Sequence, residues 1–203
     1  LRAVYLQREN KHSETAMDAV DTALLIAGMH KSGVGLLAVS TGPGSFTGLR
    51  IGISIAKGFA QAQDIPCAAI NTLDALMQKI SAFDGILCPV MDARRGEVYA
   101  AAVADGEMLV KHGAYPMQTR LEQLKQDGRR ACFVGDGVDV HRDLITSVLG
   151  DKAAFAPQQL MLQRAGAVSL LAAQLQADEY CNAFTLEPEY FRLSQAERLR
   201  LGK

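Results

Sequence analysis

Apolar and polar residues follow one another along the first part of the chain in a rhythm that predicts short strands between amphipathic helices. Residues 1–6 alternate weakly and predict a strand, whereas residues 36–40 and 67–70 are apolar runs typical of buried strands. Helical spacing of apolar residues predicts three helices, which cover residues 13–27, 46–63 and 72–80. Ser13 is expected to cap the first of these helices.

The same rhythm starts again in the second part of the chain. The pattern predicts four strands there, over residues 86–91, 97–103, 108–113 and 131–134. Helices are predicted over residues 119–128, 139–149 and 163–177. Asp105 and Gly106 form the expected turn of a hairpin, and Thr119 and Glu122 have the spacing of a capping box at the start of a helix.

This order of elements predicts an α/β fold, in which helices cover a sheet. The second half corresponds to a complete β-β-β-α-β-α unit, and the first half corresponds to the same unit with its opening strands cut short. The sequence therefore predicts an N-terminal lobe over residues 1–84, incomplete at its start, and a C-terminal lobe over residues 85–203 that includes the terminal helix.

Composition and charge exclude several classes of protein. The 21 basic and 22 acidic side chains leave a net charge of −1, which excludes binding to a polyanion through a bulk positive field. The four cysteines lack the paired spacing of a zinc site, so buried thiols are expected at Cys67, Cys88, Cys132 and Cys181. The longest apolar stretch, residues 51–60, contains Lys57 and predicts no membrane span. A cytoplasmic protein is expected.

A glycine-rich loop, Thr-Gly-Pro-Gly-Ser-Phe-Thr-Gly over residues 41–48, lies between a predicted strand and a predicted helix. Such a loop can bind phosphate through backbone N–H groups and the positive end of the helix dipole. The candidate nucleotide-binding residues here are Gly42, Gly44, Ser45 and Thr47. A P-loop is excluded, because Leu49 and Arg50 follow the last glycine in place of lysine and a hydroxyl residue. A tight turn without a ligand remains an equal alternative.

A second glycine turn, Gly135-Asp136-Gly137, could also meet a nucleotide, although turns of this composition are common. The turn Asp92-Ala93-Arg94-Arg95-Gly96-Glu97 could hold phosphate or a carboxylate, and a solvated hairpin tip is the simpler interpretation. His12 has no second histidine three or four residues further along the chain. The sequence offers no paired carboxylates, Cys–His couple or metal triad, and therefore no catalytic set.

Small residues recur at every fourth position of the second predicted helix, at Gly48, Gly52, Ala56 and Ala60. A glycine inside a helix costs about 1 kcal/mol relative to alanine, so two of them require a compensating reason. Close approach of another backbone would supply it. That backbone belongs either to the chain's own sheet or first helix, or to a second protein chain. The first helix is also rich in alanine, which fits two helices that present one surface.

Residues 42–52, Gly-Pro-Gly-Ser-Phe-Thr-Gly-Leu-Arg-Ile-Gly, resemble the signature of the TsaB (YeaZ) family. Four further stretches agree with that family in the same order, over residues 8–14, 91–99, 133–137 and 187–192. The resemblance implies an actin-like, sugar-kinase-like ATPase fold with two ribonuclease-H-like lobes. Family members open with a strand pair that carries a phosphate turn. The resemblance therefore implies a first lobe without its opening strands here.

The resemblance also implies a function shared with other proteins. Members of this family partner TsaD, which has a similar fold and carries the active site, and TsaE joins the assembled complex. The complex transfers a threonylcarbamoyl group from its adenylate to the adenosine beside the tRNA anticodon. By resemblance we expect a homodimer when the chain is alone, tRNA contact only through the complex, no intrinsic cofactor, and ATP or ADP at the complex interface.

Individual residues carry this expectation further. The expected partner-binding residues on the two helices are His12, Ala16, Val20, Ala23, Gly48, Gly52, Ala56 and Ala60. TsaD-type proteins hold a metal with a paired-histidine motif on the first helix, and Ala16 follows His12 where the second ligand would stand. The turn at residues 92–95 lacks the glycine pair of active ATPases. Both departures favour a non-catalytic subunit. The alternative is an active ATPase or small-molecule kinase of the same fold.

Overall fold

The computed structural model describes residues 3–5 and 12–192. Its helices are α1 His12–Ala27, α2 Phe46–Gln63, α3 Thr72–Met77, α4 Met117–Asp127, α5 Gly137–Leu149 and α6 Ala165–Ala172. Its strands are β1 Leu37–Gly42, β2 Cys67–Asn71, β3 Ile86–Asp92, β4 Glu97–Ala104, β5 Glu107–Pro116, β6 Ala131–Val134 and β7 Ala153–Phe155. The predicted α/β organisation is therefore present, and strands alternate with helices along most of the chain.

The chain forms two compact units, and the first comprises Leu1–Thr72 and Arg164–Glu189. Strands β1 and β2 of this unit pair in parallel. Helix α2 begins after Ser45, whose side-chain oxygen caps it, and ends at Gln63, before Asp64, which has a left-handed backbone. The inner face of α2 packs on a core formed by Ile53, Ala56, Ala60, Cys67, Ala183 and Leu186. The pair β1–β2 and residues Arg164–Glu189, which we call the C-terminal segment, thus pack against one side of α2.

The second unit comprises Leu73–Gln163 and Tyr190–Lys203. Its five-stranded sheet has the order β5-β4-β3-β6-β7. The pairs β5–β4 and β4–β3 are antiparallel, whereas β3–β6 and β6–β7 are parallel. The core beneath this sheet includes Leu73, Leu121, Phe133 and Ile145, which are almost fully buried. The parallel pair β3–β6 brings the ends of two strands, at Asp92 and Gly135, to the same edge of the sheet.

The prediction of lobes over residues 1–84 and 85–203 assumes that each lobe is one continuous stretch of the chain. In the structure, Arg164–Glu189 returns to the first unit, and α3 lies largely in the second. Chain order cannot reveal such a return, because it depends on long-range burial of side chains such as Leu186.

Several predicted elements differ from the structure. Residues 3–5 form no strand, and the rest of the strand predicted over residues 1–6 lies outside the described residues. Helix α1 begins at His12, so Ser13 lies inside the helix instead of capping it. Helix α4 begins at Met117, which is buried, and Glu122 accepts a hydrogen bond from Gln118 instead of closing a capping box.

The last helix is shorter than predicted, and one strand was missed. Helix α6 ends at Ala172, and a capping box between Gln176 and Glu179 starts a separate short turn where the pattern predicts that the helix continues. Strand β7 has only three residues, too few for alternation to reveal it. Over residues 3–5 and 12–192, the structure contains no helix with the length and apolar character that crossing a membrane requires.

Candidate partner interface on helices α1 and α2

The four small residues spaced along α2 differ in their exposure to solvent. Ala56 and Ala60 are buried in the core of the first unit, whereas Gly48 is half-buried and Gly52 is exposed. Positions four residues apart turn by about 40° around a helix axis, so the row winds from the surface towards the core. The predicted partner-binding residues of this helix therefore do not share one face, and only Gly48 and Gly52 lie towards the surface.

Gly52 has open space beside it. A methyl group placed on Gly52 would meet no atom of the chain within 4 Å, and the same is true of Gly58. At Gly48 the nearest atom would be the Ser45 Cβ, at 3.4 Å. Because glycine weakens a helix interior by about 1 kcal/mol, Gly52 costs stability that no described neighbour explains. Close approach of a second backbone from outside the chain would explain it.

Helix α1 packs beside α2 within the first unit. Its small residues Ala16, Val20 and Ala23 are half-buried, and His12 stands at the first position of the helix. Apolar side chains are exposed towards the other end of α1. Leu25 is 80% exposed and Ile26 51% exposed. Large apolar side chains this exposed on one helix are typical of a surface that another protein covers.

The glycine loop before α2 packs against other residues of the same chain. Ser45 Oγ accepts a hydrogen bond from the Gly48 N–H at 3.3 Å and so caps the helix. Gly42 has φ +133°, and a Cβ on it would lie 2.4 Å from the carbonyl oxygen of Glu189. Gly44 would meet only the Leu49 side chain, at 3.4 Å. Gly42 is therefore required by the passage of the chain's own C-terminal segment.

That C-terminal segment is fixed by two further contacts. The Glu189 N–H donates to the Thr41 carbonyl oxygen at 2.8 Å, and the Glu189 carboxylate accepts from the Asn71 side chain at 2.7 Å. Thr47, which the structure places in the first turn of α2, is exposed. The nucleotide-binding role of Gly42, Gly44, Ser45 and Thr47 stays a prediction. The contact with Glu189 is sufficient to explain why residue 42 is a glycine.

The second glycine turn has the same kind of explanation. A Cβ on Gly135, which has φ +119°, would lie 2.2 Å from the Val90 carbonyl oxygen, and one on Gly137 would lie 2.9 Å from the Val90 side chain. The Asp136 carboxylate accepts from the Asp92 N–H at 3.2 Å. Although Asp136 is exposed as a residue, desolvation of its carboxyl group raises its pKa. Strand β3 therefore accounts for both glycines.

This chain is similar to proteins that are named for tRNA threonylcarbamoyladenosine biosynthesis. The family model described as "TsaD: tRNA N6-adenosine threonylcarbamoyltransferase" matches residues 7–199. The tRNA threonylcarbamoyladenosine biosynthesis protein TsaB of Bacillus subtilis (strain 168) is 34% identical over 197 residues, which are 95% of this chain and 84% of that protein. The chain belongs to the TsaB family.

Further similarities agree with this family. TsaB of Escherichia coli (strain K12) is 35% identical over 105 residues, which are 51% of this chain and 46% of that protein. The crystal structure of a Pseudomonas aeruginosa protein with similarity to peptidase YEAZ matches with a TM-score of 0.77 and 25% identity. The match covers 93% of this chain and 88% of that one. The expected actin-like, sugar-kinase-like fold class is confirmed, whereas the two ribonuclease-H-like lobes stay a prediction.

The acidic and basic turn after β3 is held internally in this TsaB-family chain. Asp92 accepts from the Arg94 N–H at 2.8 Å. Arg192 forms an ion pair with Glu97 and donates to the Ala93 carbonyl oxygen at 2.6 Å. The sequence placed Arg192 in a family stretch without giving it a partner, because the two positions meet only through the fold.

The sequence did not predict the close pair that His112 forms with Asp74. His112 Nε2 and Asp74 Oδ1 lie 2.7 Å apart and join β5 to α3. The pairing of a strand residue with a helix residue distant along the chain leaves no local signal. Within the described ranges of this TsaB-family chain, no three histidine, cysteine, aspartate or glutamate residues are grouped closely enough to hold a metal.

Proposed function

We propose that this chain is a non-catalytic partner of a TsaD-type threonylcarbamoyltransferase in tRNA threonylcarbamoyladenosine biosynthesis. In this proposal, TsaD carries the active site and transfers the threonylcarbamoyl group from its adenylate to the adenosine beside the anticodon. This chain docks on TsaD through the exposed sides of α1 and α2. Membership of the TsaB family supports the pathway.

The observation that carries the docking surface is the open space beside Gly52. Gly52 stands in the middle of an 18-residue helix, although alanine would fit there and would stabilise the helix. A partner helix that lies against Gly48 and Gly52 could approach more closely than any larger residue allows. The exposed Leu25 and Ile26 on α1 would supply apolar area beside that contact.

The non-catalytic role is supported by one position on α1. Ala16 occupies the place where TsaD-type proteins are expected to have their second histidine, and a methyl side chain cannot ligate a metal. His12 begins the helix and lies four residues before it. The proposal therefore assigns metal-dependent chemistry to the partner and a binding role to this face of α1.

The test compares two leucine substitutions on the same helix. Gly52→Leu and Gly58→Leu both replace an exposed helical glycine that has open space beside it, and the two positions lie about 120° apart around the axis. Both variants should fold at least as stably as the parent, because leucine has the higher helix propensity. Thermal melts followed by circular dichroism check this requirement.

Affinity for the TsaD protein of the same organism, measured by calorimetry, then separates the two variants. Gly52→Leu should bind at least about tenfold more weakly, a loss of about 1.4 kcal/mol, because the side chain separates two packed helices. Gly58→Leu should bind like the parent. Unchanged affinity of Gly52→Leu would refute the interface, and equal losses in both variants would place the interface elsewhere.

The proposal extends to the other assemblies. Without TsaD the same face pairs two copies of this chain, so Gly52→Leu should elute as a monomer from a sizing column where the parent elutes as a dimer. TsaE joins only the assembled complex, tRNA is contacted only through that complex, and ATP or ADP binds at the complex interface. No described contact favours an active ATPase or kinase as a second candidate.

A further inference from the structure

Two cysteines that are 114 positions apart in sequence face each other in the first unit. Cys67 lies on β2, and Cys181 lies on the C-terminal segment. They form an isolated antiparallel bridge in which the Cys67 N–H donates to the Cys181 carbonyl oxygen at 2.7 Å. The Cys181 N–H donates back at 2.9 Å. Both cysteines are free thiols.

The geometry of this bridge places the two thiols close together. Cα atoms of a hydrogen-bonded antiparallel pair lie about 5.5 Å apart, which is within the range that a disulfide spans. Side chains of directly opposed residues lie on the same face. The Cys181 Sγ lies 3.4 Å from the Cys67 carbonyl oxygen. A bond requires the Cβ atoms to approach by about 1 Å, and an isolated bridge permits this without breaking a longer ladder.

The two thiols differ in their access to solvent. Cys67 is fully buried, whereas Cys181 is half-buried and can be reached from the surface. Burial raises the pKa of the Cys67 thiol, and the neighbouring Cys181 raises it further. An oxidant from solution therefore reacts first with Cys181, and Cys67 stands directly behind it as the second thiol.

We propose that Cys67 and Cys181 form a reversible disulfide when the chain meets hydrogen peroxide. The Cys181 sulfur attacks the peroxide oxygen, the O–O bond breaks, and a sulfenic acid forms on Cys181 with release of water. The Cys67 sulfur then attacks the Cys181 sulfur, and the S–O bond breaks. A second water leaves with the proton of Cys67. Two thiols are thus oxidised by two electrons, and one peroxide is reduced to two waters.

The disulfide would link the C-terminal segment covalently to β2, which packs against α2. Cys67 belongs to the core that also contains Ala56 and Ala60 of that helix. The segment after Cys181 contributes Ala183 and Leu186 to the same core. The oxidised bond would therefore constrain the support of α2, whether or not that helix docks a partner.

The other two cysteines provide an internal control. Cys88 and Cys132 lie on the neighbouring strands β3 and β6 and are both buried. Cys132 lies opposite Leu87 in the register of that pair. Cys88 is the next residue along β3 and so faces the other side of the sheet. These two thiols should remain unlinked under conditions that link Cys67 to Cys181.

The experiment treats the purified full chain with hydrogen peroxide, blocks remaining thiols, and maps disulfide-linked peptides by mass spectrometry without reduction. We expect a peptide pair that joins Cys67 to Cys181, its disappearance after dithiothreitol, and free Cys88 and Cys132. The melting temperature of the oxidised chain should rise by about 5–10 °C, because a long loop is closed. Cys181→Ser should fold, since the site is half-exposed, and should lose both the linked pair and the shift.

Three outcomes would overturn the proposal. The first is a Cys181 that stops at sulfenic or sulfinic acid while Cys67 remains free. The second is linkage between Cys181 residues of two chains, seen as a dimer on a non-reducing gel. The third is a Cys88–Cys132 link formed as readily as the expected one, which would show that oxidation follows unfolding instead of the native bridge.

Discussion

The glycines of this chain are of two kinds, and the difference separates internal packing from contact with another protein. Gly42 and Gly135 have positive φ, and a Cβ on either would collide with a backbone carbonyl oxygen of the chain itself. Gly52 lies in a regular helix with open space beside it. All three are glycines in stretches that resemble one family, yet only Gly52 lacks an explanation inside the described part of the chain.

The comparison teaches which motif points to function. The glycine-rich loop before α2 has the form of a phosphate-binding loop, but its tightest glycine accommodates Glu189 of the same chain. The helix α2, whose sequence resembles no ligand-binding motif, contains Gly52, where we propose that a partner docks. A glycine whose Cβ would collide with the chain indicates architecture, whereas open space beside a helical glycine leaves room for a partner. Gly58 has the same open space as Gly52, and the proposal assigns the partner to the side of α2 at Gly52, about 120° away around the axis.

The largest effect is expected from Gly135→Ala. The added methyl group would lie 2.2 Å from the Val90 carbonyl oxygen, and alanine is strained at φ +119°. We expect a loss of about 3–5 kcal/mol in the free energy of unfolding, measured by urea denaturation. A loss below about 1 kcal/mol would mean that β3 does not account for this glycine.

A smaller effect is expected from Gly42→Ala, and Gly44→Ala is its matched control in the same loop. The first variant places a methyl group 2.4 Å from the Glu189 carbonyl oxygen, whereas the second meets only the flexible Leu49 side chain at 3.4 Å. We expect Gly42→Ala to lose about 2–4 kcal/mol of stability and Gly44→Ala to lose less than about 1 kcal/mol. Equal urea midpoints for the two variants would contradict the internal explanation.

Gly52→Ala and Gly58→Ala are expected to stabilise the chain, in contrast to the two preceding substitutions. Each removes a helical glycine without a collision, so each should raise the free energy of unfolding by about 0.5–1 kcal/mol. Chemical denaturation of the isolated chain measures this gain. If Gly52→Ala destabilised the chain, that glycine would serve internal packing, and the distinction between the two kinds of glycine would fail.

The smallest effect is expected when ATP is added to the isolated chain and its melting temperature is measured. If internal contacts account for the glycine turns, ATP should leave the melting temperature of the isolated chain unchanged at concentrations up to the millimolar range. A ligand at 100 times its dissociation constant stabilises by about 2.7 kcal/mol, so tight binding would be visible. A saturable rise in melting temperature would favour the active ATPase or kinase that the sequence left as an alternative.

The local parts of the fold were predictable from sequence. Both ends of α2 follow from local signals, since Ser45 caps its start and Asp64 with Pro66 ends it. Strand β6 follows from an apolar run between polar residues. Strand β7, at Ala153–Phe155, was not predictable, because three residues become a strand only when a neighbouring strand pairs with them.

The candidate site was predictable only in part. The spacing of small residues on α2 was visible, but which of them face the core depends on where β1, β2 and the C-terminal segment lie. Ala56 and Ala60 turn inwards for that reason, and Gly52 does not. The exposure of Leu25 and the bridge between Cys67 and Cys181 likewise depend on long-range placement, which no local pattern encodes.

The central claim is that a partner covers the α2 surface at Gly52, and the most direct measurement is the thiol reactivity of a cysteine placed there. Gly52→Cys and Gly58→Cys, each combined with Cys181→Ser to remove the half-exposed native thiol, are labelled with a thiol reagent with and without TsaD. At dilutions where the chain is a monomer by light scattering, the account predicts that both label readily alone and that TsaD slows labelling at position 52 at least about tenfold, with position 58 unaffected. Undiminished labelling at position 52 in the presence of saturating TsaD would contradict it.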